Sequence, residues 1–335
     1  MKGLFPLQII IIYPPHAIPN QEEMKKYFLI LFTLLAMFNS CQWIDDDLSD
    51  CPQQLTLKFA RKTACDTQRY FPSDIKNLRV YLFDEDEKLL ETVSRDDITL
   101  TADYDITLPY RSRGVNTVVA WADQYDEDYS ITDSKNAATT LSDMQLKMKA
   151  VPDNRHLSVL YHGLSKFERQ ESDDRGSIID TVWCDMRQIT NRLHIQVFGL
   201  PEQQDFDIRL HDDNDAYDFR ADIIPGRPEF VTTAPTMKHD KVRRLDTTVM
   251  KLTEGGHTRL AIYDYIAEKE IFSINLVDDL LMYRDQFGNP PYNLECDHDF
   301  NIVIVMDKDV KFGTWMMISA VVNDWNVVER EEELN

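Results

Sequence analysis

With 335 residues, 43% of them hydrophobic and 28% charged, the chain is long enough for two ordinary domains and too apolar for a disordered tail. Its 36 Lys and Arg face 58 Asp and Glu, a net charge of −22. That argues against a general binder of nucleic-acid phosphates and against adhesion to an anionic bilayer through a basic face. Ten glycines are few, and neither G-x-x-x-x-G-K-[ST] nor G-x-G-x-x-G occurs, so no glycine-rich phosphate cradle is expected.

In chain order, residues 1–23 carry an apolar run broken by Pro14 and Pro15 and read as an extension from a start codon called too early. Met24 is the working start. Lys25 and Lys26 then form a positive segment, and Tyr27 to Phe38 a 12-residue apolar stretch, short for a bilayer span but suited to a signal-peptide core. Asn39 and Ser40 lead to Cys41. This order of charge, apolar core, small residue and cysteine resembles a bacterial lipoprotein signal, although Phe38 stands where leucine is usual. The resemblance implies a signal peptide over 24–40, cleavage before Cys41 and acylation of its thiol with chains such as palmitate. Asp45, Asp46 and Asp47 follow in a tether over 41–54. Acidic residues at that place resemble the Bacteroidetes export signal to the outer face of the outer membrane. The plain alternative is a solvated acidic linker.

Four further cysteines, Cys51, Cys65, Cys184 and Cys296, allow three full pairings, and the sequence does not choose among them. The nearest pair is Cys51–Cys65, with Cys184 and Cys296 then suited to buried free thiols. No C-x-x-C occurs, so a zinc ribbon is not expected.

After Cys51 the pattern is that of strands. "LTLKFA" (55–60) alternates, with Leu55, Leu57 and Phe59 on one face. "NLRVYLFD" (77–84), "YDITLPY" (104–110), "NTVVAWAD" (116–123) and "HLSVLYHGL" (156–164) follow. Residues 177–201 read as two strands with a bend near Arg187. "TLSDMQLKMKAV" (140–151) predicts a helix, with Leu141, Met144 and Met148 on one face. "GLPEQQ" (199–204) marks a boundary, and strands resume at 205–212, 243–253, 258–265, 269–281, 299–307 and 315–328. A short helix is expected near 278–285. Many short β-branched and aromatic runs predict β-sandwiches, and the length accommodates two, over 55–200 and 201–335.

Here the chain resembles a known family. "DDLSDCPQQLTLKFA" (46–60), "NLRVYLFDEDEKLL" (77–90), "NTVVAWAD" (116–123), "LYHGL" (160–164) and "RQITNRLHIQVFGLP" (187–201) resemble the N-terminal pattern of the FimB/Mfa2 fimbrial anchor group of Bacteroidales. "DFNIVIVMD" and "WMMISAVVNDWNVV" resemble its C-terminal end. The resemblance implies an all-β fold of two tandem transthyretin-like, Greek-key β-sandwiches. It implies a non-enzymatic lipoprotein, without cofactor, that attaches a type V pilus to the outer membrane and has a role in limiting its length. Its expected partners are fimbrial shaft or accessory subunits, joined by strand complementation. Cys41 is the one residue carried over as functional. The acidic ending "EREEELN" (329–335) is a poor inserting strand.

Other constellations carry less. "HDDNDAYD" (211–218) fails the EF-hand pattern, because Tyr217 stands where glycine belongs. "DQYDEDYSITD" (123–133) reads as a loop, and Cys296 and His298 lack a second ligand pair. No H-E-x-x-H or G-x-S-x-G occurs, and no catalytic or metal residue is expected. Trp121, Trp183, Trp315 and Trp325 fall in strand patterns, where core packing is the default. Were they aligned and exposed, the alternative would be a glycan-binding surface lipoprotein of a polysaccharide-utilisation system.

Overall fold

The computed structural model describes residues 53–110, 112–132, 140–149, 157–169, 178–232, 236–239, 241–282, 290–309 and 311–329. Cys41, the signal peptide, Cys51 and most of the tether lie outside them. The strands are β1 (Gln53–Arg61), β2 (Leu78–Phe83), β3 (Leu89–Arg95), β4 (Asp105–Pro109), β5 (Gly114–Ala122), β6 (Tyr129–Ile131), β7 (Gln145–Met148), β8 (Tyr161–Arg169), β9 (Ile178–Gln188) and β10 (Thr190–Phe198). They continue as β11 (Phe206–Asp212), β12 (Ala216–Asp218), β13 (Phe230–Thr232), β14 (Met237–His239), β15 (Val242–Met250), β16 (Arg259–Asp264), β17 (Lys269–Asn275), β18 (Asp299–Lys308), β19 (Trp315–Val322) and β20 (Trp325–Glu329). The chain is all-β, in two tandem sandwiches.

The first sandwich is one ladder in the order β3-β2-β5-β8-β9-β1-β4. β8 and β9 pair only at Tyr161–Gly163 against Met186–Gln188. The sheet folds over at this corner, so that Leu55, Leu57 and Phe59 of β1 face Leu78, Val80 and Val118 in one buried core. Gly163 sits at the corner because a Cβ there would lie 2.6 Å from the Cys184 sulfur. The second sandwich stacks β14-β15-β10-β18-β19-β20 on β13-β11-β16-β17. Its core joins Leu193, Ile195 and Val197 to Leu245, Ile262 and Phe300. The two sandwiches share a device. β1 lies between antiparallel β4 and parallel β9, and β10 between antiparallel β15 and parallel β18. A parallel neighbour requires a long crossover, here supplied by the strands of the opposite layer.

Most predicted strands form where alternation places them. β10 lies before Gly199 yet pairs in the second sandwich. Gly199 itself turns the chain within that sandwich, at φ +85°, with its Cα so close to β18 that a Cβ would collide with the Met306 carbonyl. The helix predicted over 140–151 is instead a single 3-10 turn, Leu141–Asp143, followed by β7. Met144 and Leu146 are buried there, and β7 pairs with β6 on one side and β12 on the other, so long-range pairing overrides the local helical spacing. A helical turn does form at Val277–Leu281, overlapping the start of the region where a short helix is predicted.

The sheet β12-β7-β6 covers the outer face of β2 and β5. This is why "VVAWA" is continuously apolar: Val118 and Ala120 face one core, Val119 and Trp121 the other. The second core also holds Tyr129, Leu146, Ile189, Tyr217 and Met250, residues from both halves of the chain. Around it lies a polar rim. The Tyr217 hydroxyl donates to the Ile189 carbonyl at 2.7 Å and accepts from the Lys251 amide at 2.6 Å. His162 donates to the Phe219 carbonyl at 2.9 Å, and Glu295 pairs with Lys251 at 2.7 Å and Arg187 at 3.2 Å.

Cys65 bonds Cys296 across this seam, with Cα atoms 6.2 Å apart. The nearest pair in sequence is therefore not the pair formed, and Cys296 is not a free thiol. The reason is directional: β1 carries the chain roughly 25 Å from Gln53 towards the seam before Cys65 is reached. Cys184 is free and buried, and burial pushes its thiol up to about 12.

Two buried imidazoles set an acid limit. Burial lowers His162 to about 4, and burial with the nearby Lys251 and Arg61 charges does the same to His298. The unfolded chain takes up these protons near pH 6.5, so the stabilisation is full above that pH and is lost as pH falls to about 4. Each imidazole contributes up to about 3 kcal/mol. Asp212 opposes them: burial raises it to about 6, so the folded form gains from its protonation below that pH. Burial also raises Asp123, which acts in the same sense as Asp212, and a net loss of about 2 kcal/mol is expected between pH 7 and 4.5. Urea unfolding at both pH values measures it, and His162→Gln should flatten the difference.

Candidate anchoring and subunit-contact surfaces

β1 runs towards the seam, so its first residue, Gln53, lies at the end of the molecule furthest from the second sandwich. The segment expected as a tether leads into the fold there. Arg169, nearly fully buried, clamps this point. Its guanidinium donates to the Gln53 side chain at 2.9 Å and the Tyr110 carbonyl at 2.5 Å, and pairs with Asp180 at 3.1 Å. The Gln53 carbonyl accepts from the Tyr110 amide at 2.8 Å.

The opposite end of the molecule is the far pole of the second sandwich. Register places it. Thr190 pairs with Met250 at the seam, whereas Val197 pairs with Arg243 at the pole. Phe206 pairs with Asp264 there, and Lys308 with Trp315. An open cleft of about 430 Å³ lies at this pole, lined by Asp205, Phe206, Asp207, Thr236, Lys238, Arg243 and Tyr265. Arg243 is buried beneath it. One guanidinium nitrogen donates to the carbonyls of Pro201 at 3.0 Å and Gln204 at 2.8 Å, and the Phe206 ring lies 6.0 Å away. Its Nη1 has no partner among the described residues.

Large apolar side chains stand exposed at this pole: Met237 and Tyr265 at 51%, Phe312 at 70% and Ile266 at 74%. Ile266 and Phe312 occupy the β16–β17 and β18–β19 turns, and such turns ordinarily present polar side chains. Tyr265 is held by its hydroxyl on Asp207 and by edge-on contact with Tyr263, 5.2 Å away. Strands β13, β14, β17 and β20 end their sheets, so backbone groups suited to strand addition are close by.

The sequence singled out none of these apolar residues. The signal was present as "DYIAEK" and "KFG", where an apolar residue interrupts a polar turn. The carboxylates that invited a metal reading have other tasks. Asp212 accepts from the amides of Asp213 and Asn214, at 2.8 and 3.1 Å, and Asp123 from the Lys76 amide at 2.8 Å. Among the described residues, no three His, Cys, Asp or Glu gather as metal ligands.

The three tryptophans whose side chains are described do not form a row. Trp121 is fully buried against His162, with ring centres 4.5 Å apart. Trp183 is half-buried in the first sandwich, with Arg69 at 4.5 Å over its ring. Trp315 is half-buried in the second, edge-on to Phe206 at 6.2 Å. Trp325 lies on β20, its side chain outside the described residues.

Residues 48–331 match the family model of fimbrillin-A associated anchor proteins Mfa1 and Mfa2. The chain belongs to this family. It is a family of fimbrial anchor proteins, structural rather than enzymatic. The chain is 25% identical over 321 residues to the minor fimbrium anchoring subunit Mfa2 of Porphyromonas gingivalis, covering 93% of this chain and 98% of that one. The structure of the Porphyromonas gingivalis fimbrial anchor protein Mfa2 superimposes with a TM-score of 0.73, at 24% identity, over 84% of this chain and all of that chain. A Bacteroides thetaiotaomicron protein named for a proposed polysaccharide binding superimposes at 0.68, with 21% identity, over 84% of this chain and 99% of its own. The last two likenesses concern the fold.

Proposed function

We propose that the chain is the lipid-anchored base of a type V pilus. The signal peptide over 24–40 is removed, lipid on Cys41 holds the outer membrane, and the tether over 41–54 leads to β1. Two sandwiches follow, the second beginning at β10. The next fimbrial subunit joins by strand complementation, and a base that caps growth has a role in limiting pilus length. The family match carries this reading, because it begins at residue 48, a few residues after Cys41. The placement of the exposed apolar pole supports it further: an anchor needs its membrane end and its subunit end apart. Backbone hydrogen bonds from an added strand would supply affinity, and Tyr265, Ile266, Phe312 and the cleft over Arg243 would supply specificity.

The test is a double variant, Ile266→Glu with Phe312→Glu. Both side chains are exposed, so the melting temperature should move by less than about 2 °C. Fimbrial subunits that co-purify with the wild-type chain should be lost at least tenfold, and fimbriae should be shed into the medium. Undiminished co-purification would remove the pole from the reading. Fimbriae that stay on cells lacking the chain altogether would remove the anchor.

A further inference from the structure

The peptide chain enters the second sandwich through Ile189, and the Cys65–Cys296 disulfide makes a further covalent crossing over a sequence separation of 231. Its two ends are not placed at random. Cys65 comes four residues after β1, the strand that the tether joins. Cys296 comes three residues before β18, an interior strand of the six-stranded sheet. The segment around Cys65 is fixed on the first sandwich. The Lys62 amide donates to the Met186 carbonyl at 2.9 Å, and Arg61 and Tyr70 exchange backbone bonds at 2.8 and 3.0 Å. Arg69 grips Asp185 with two bonds of 2.6 and 3.1 Å. From the other side, the Asn293 side-chain amide donates to the Cys65 sulfur at 3.4 Å.

A pull on the tether enters at Gln53. β1 lies in register with parallel β9 along its whole length and with antiparallel β4 along its first half. Ladder bonds lie across a strand, so a lengthwise pull strains them together. Were β1 free at its far end, it would slide out once they failed, and the first sandwich would unravel behind it. With the disulfide in place, that far end is pinned covalently to the second sandwich.

We propose that Cys65–Cys296 is a tension bypass: force passes from the tether along β1, crosses the disulfide, and enters the second sandwich at β18. The residues from 66 to 188 then hold shape without carrying the pull. The inference rests on the reading that the fimbria is held at the far pole of the second sandwich. It assigns the disulfide a mechanical task beyond joining two halves. It also accounts for the tether continuing directly into an interior strand that points at the seam.

Optical tweezers test it on the mature wild-type chain, with handles at residues 41 and 266. At about 3.5 Å per residue, the oxidised chain should extend about 600 Å less than the chain in thiol reductant. The force of first unfolding should fall at least twofold on reduction. An unchanged length or an unchanged force overturns the bypass. In cells, Cys65→Ser with Cys296→Ser should leave fimbriae in place at rest and lose them at least threefold faster under shear flow. Equal loss under flow also overturns it. Fimbriae held at rest by both chains, but not by cells lacking the protein, keep the anchor reading intact whichever way the bypass falls.

Discussion

Replacing Cys41 with alanine is expected to move the protein from the membrane fraction to the medium, and the fimbriae with it. The magnitude follows from the acyl chains. Each buried CH2 contributes about 0.8 kcal/mol, one chain holds a protein only marginally, and stable anchoring needs more than one. Without the thiol no acyl chain is added, so the loss is of the whole anchor rather than of a fraction. The net charge of −22 works against an electrostatic substitute on an anionic membrane. The fold should be untouched, because the first residue of β1 is Gln53, well past the lipid site. Fractionation, palmitate labelling and a melting curve of the same variant separate the two effects. Protein that stays with the outer membrane and carries acyl label elsewhere would refute lipidation at Cys41.

Trp121→Ala is expected to cost about 3–5 kcal/mol, which lowers the melting temperature by roughly 10 °C. The ring is wholly buried in a cluster with Tyr129, Leu146, Tyr217 and Met250. Those residues come from both halves of the chain, so the cavity would weaken the seam as well as β5. The indole N–H has no hydrogen-bond partner among the described residues. An unsatisfied donor costs rather than contributes, so Trp121→Phe should recover most of the loss. Trp183→Ala, half-buried under Arg69, should cost about 1 kcal/mol. A glycan platform would reverse this order, with Trp121 dispensable for stability and needed for binding. Melting curves of the three variants decide between them.

Much of the fold was legible because alternation is a local property. Leu55, Leu57 and Phe59 alternate in the sequence and fill one core in the structure. Elements whose identity depends on partners were not legible. β3 buries one of its seven residues well, so it has no apolar stripe to read. β7 has helical spacing and becomes a strand because β6 and β12 lie on either side of it. The short strands β12, β13 and β14 have three residues each, too few for any period to register.

Two features of the candidate sites divide in the same way. The expected lipid site is a linear signal, made of charge, apolar length and a cysteine in immediate succession, so the sequence alone determined the expectation at Cys41. The family pattern was similarly linear, a succession of strands in fixed order. The disulfide and the apolar pole belong to the tertiary structure. Cys65 and Cys296 stand 231 positions apart, and only the direction of β1 and the docking of the two sandwiches bring their Cα atoms to 6.2 Å. Tyr265 and Ile266 sit in one turn and Phe312 in another, and only the pairing of the strands gathers those turns at the end remote from Gln53. Short-range chemistry is written along the chain. The distance between Gln53 and the far pole of the second sandwich is decided by how strands cross and pair.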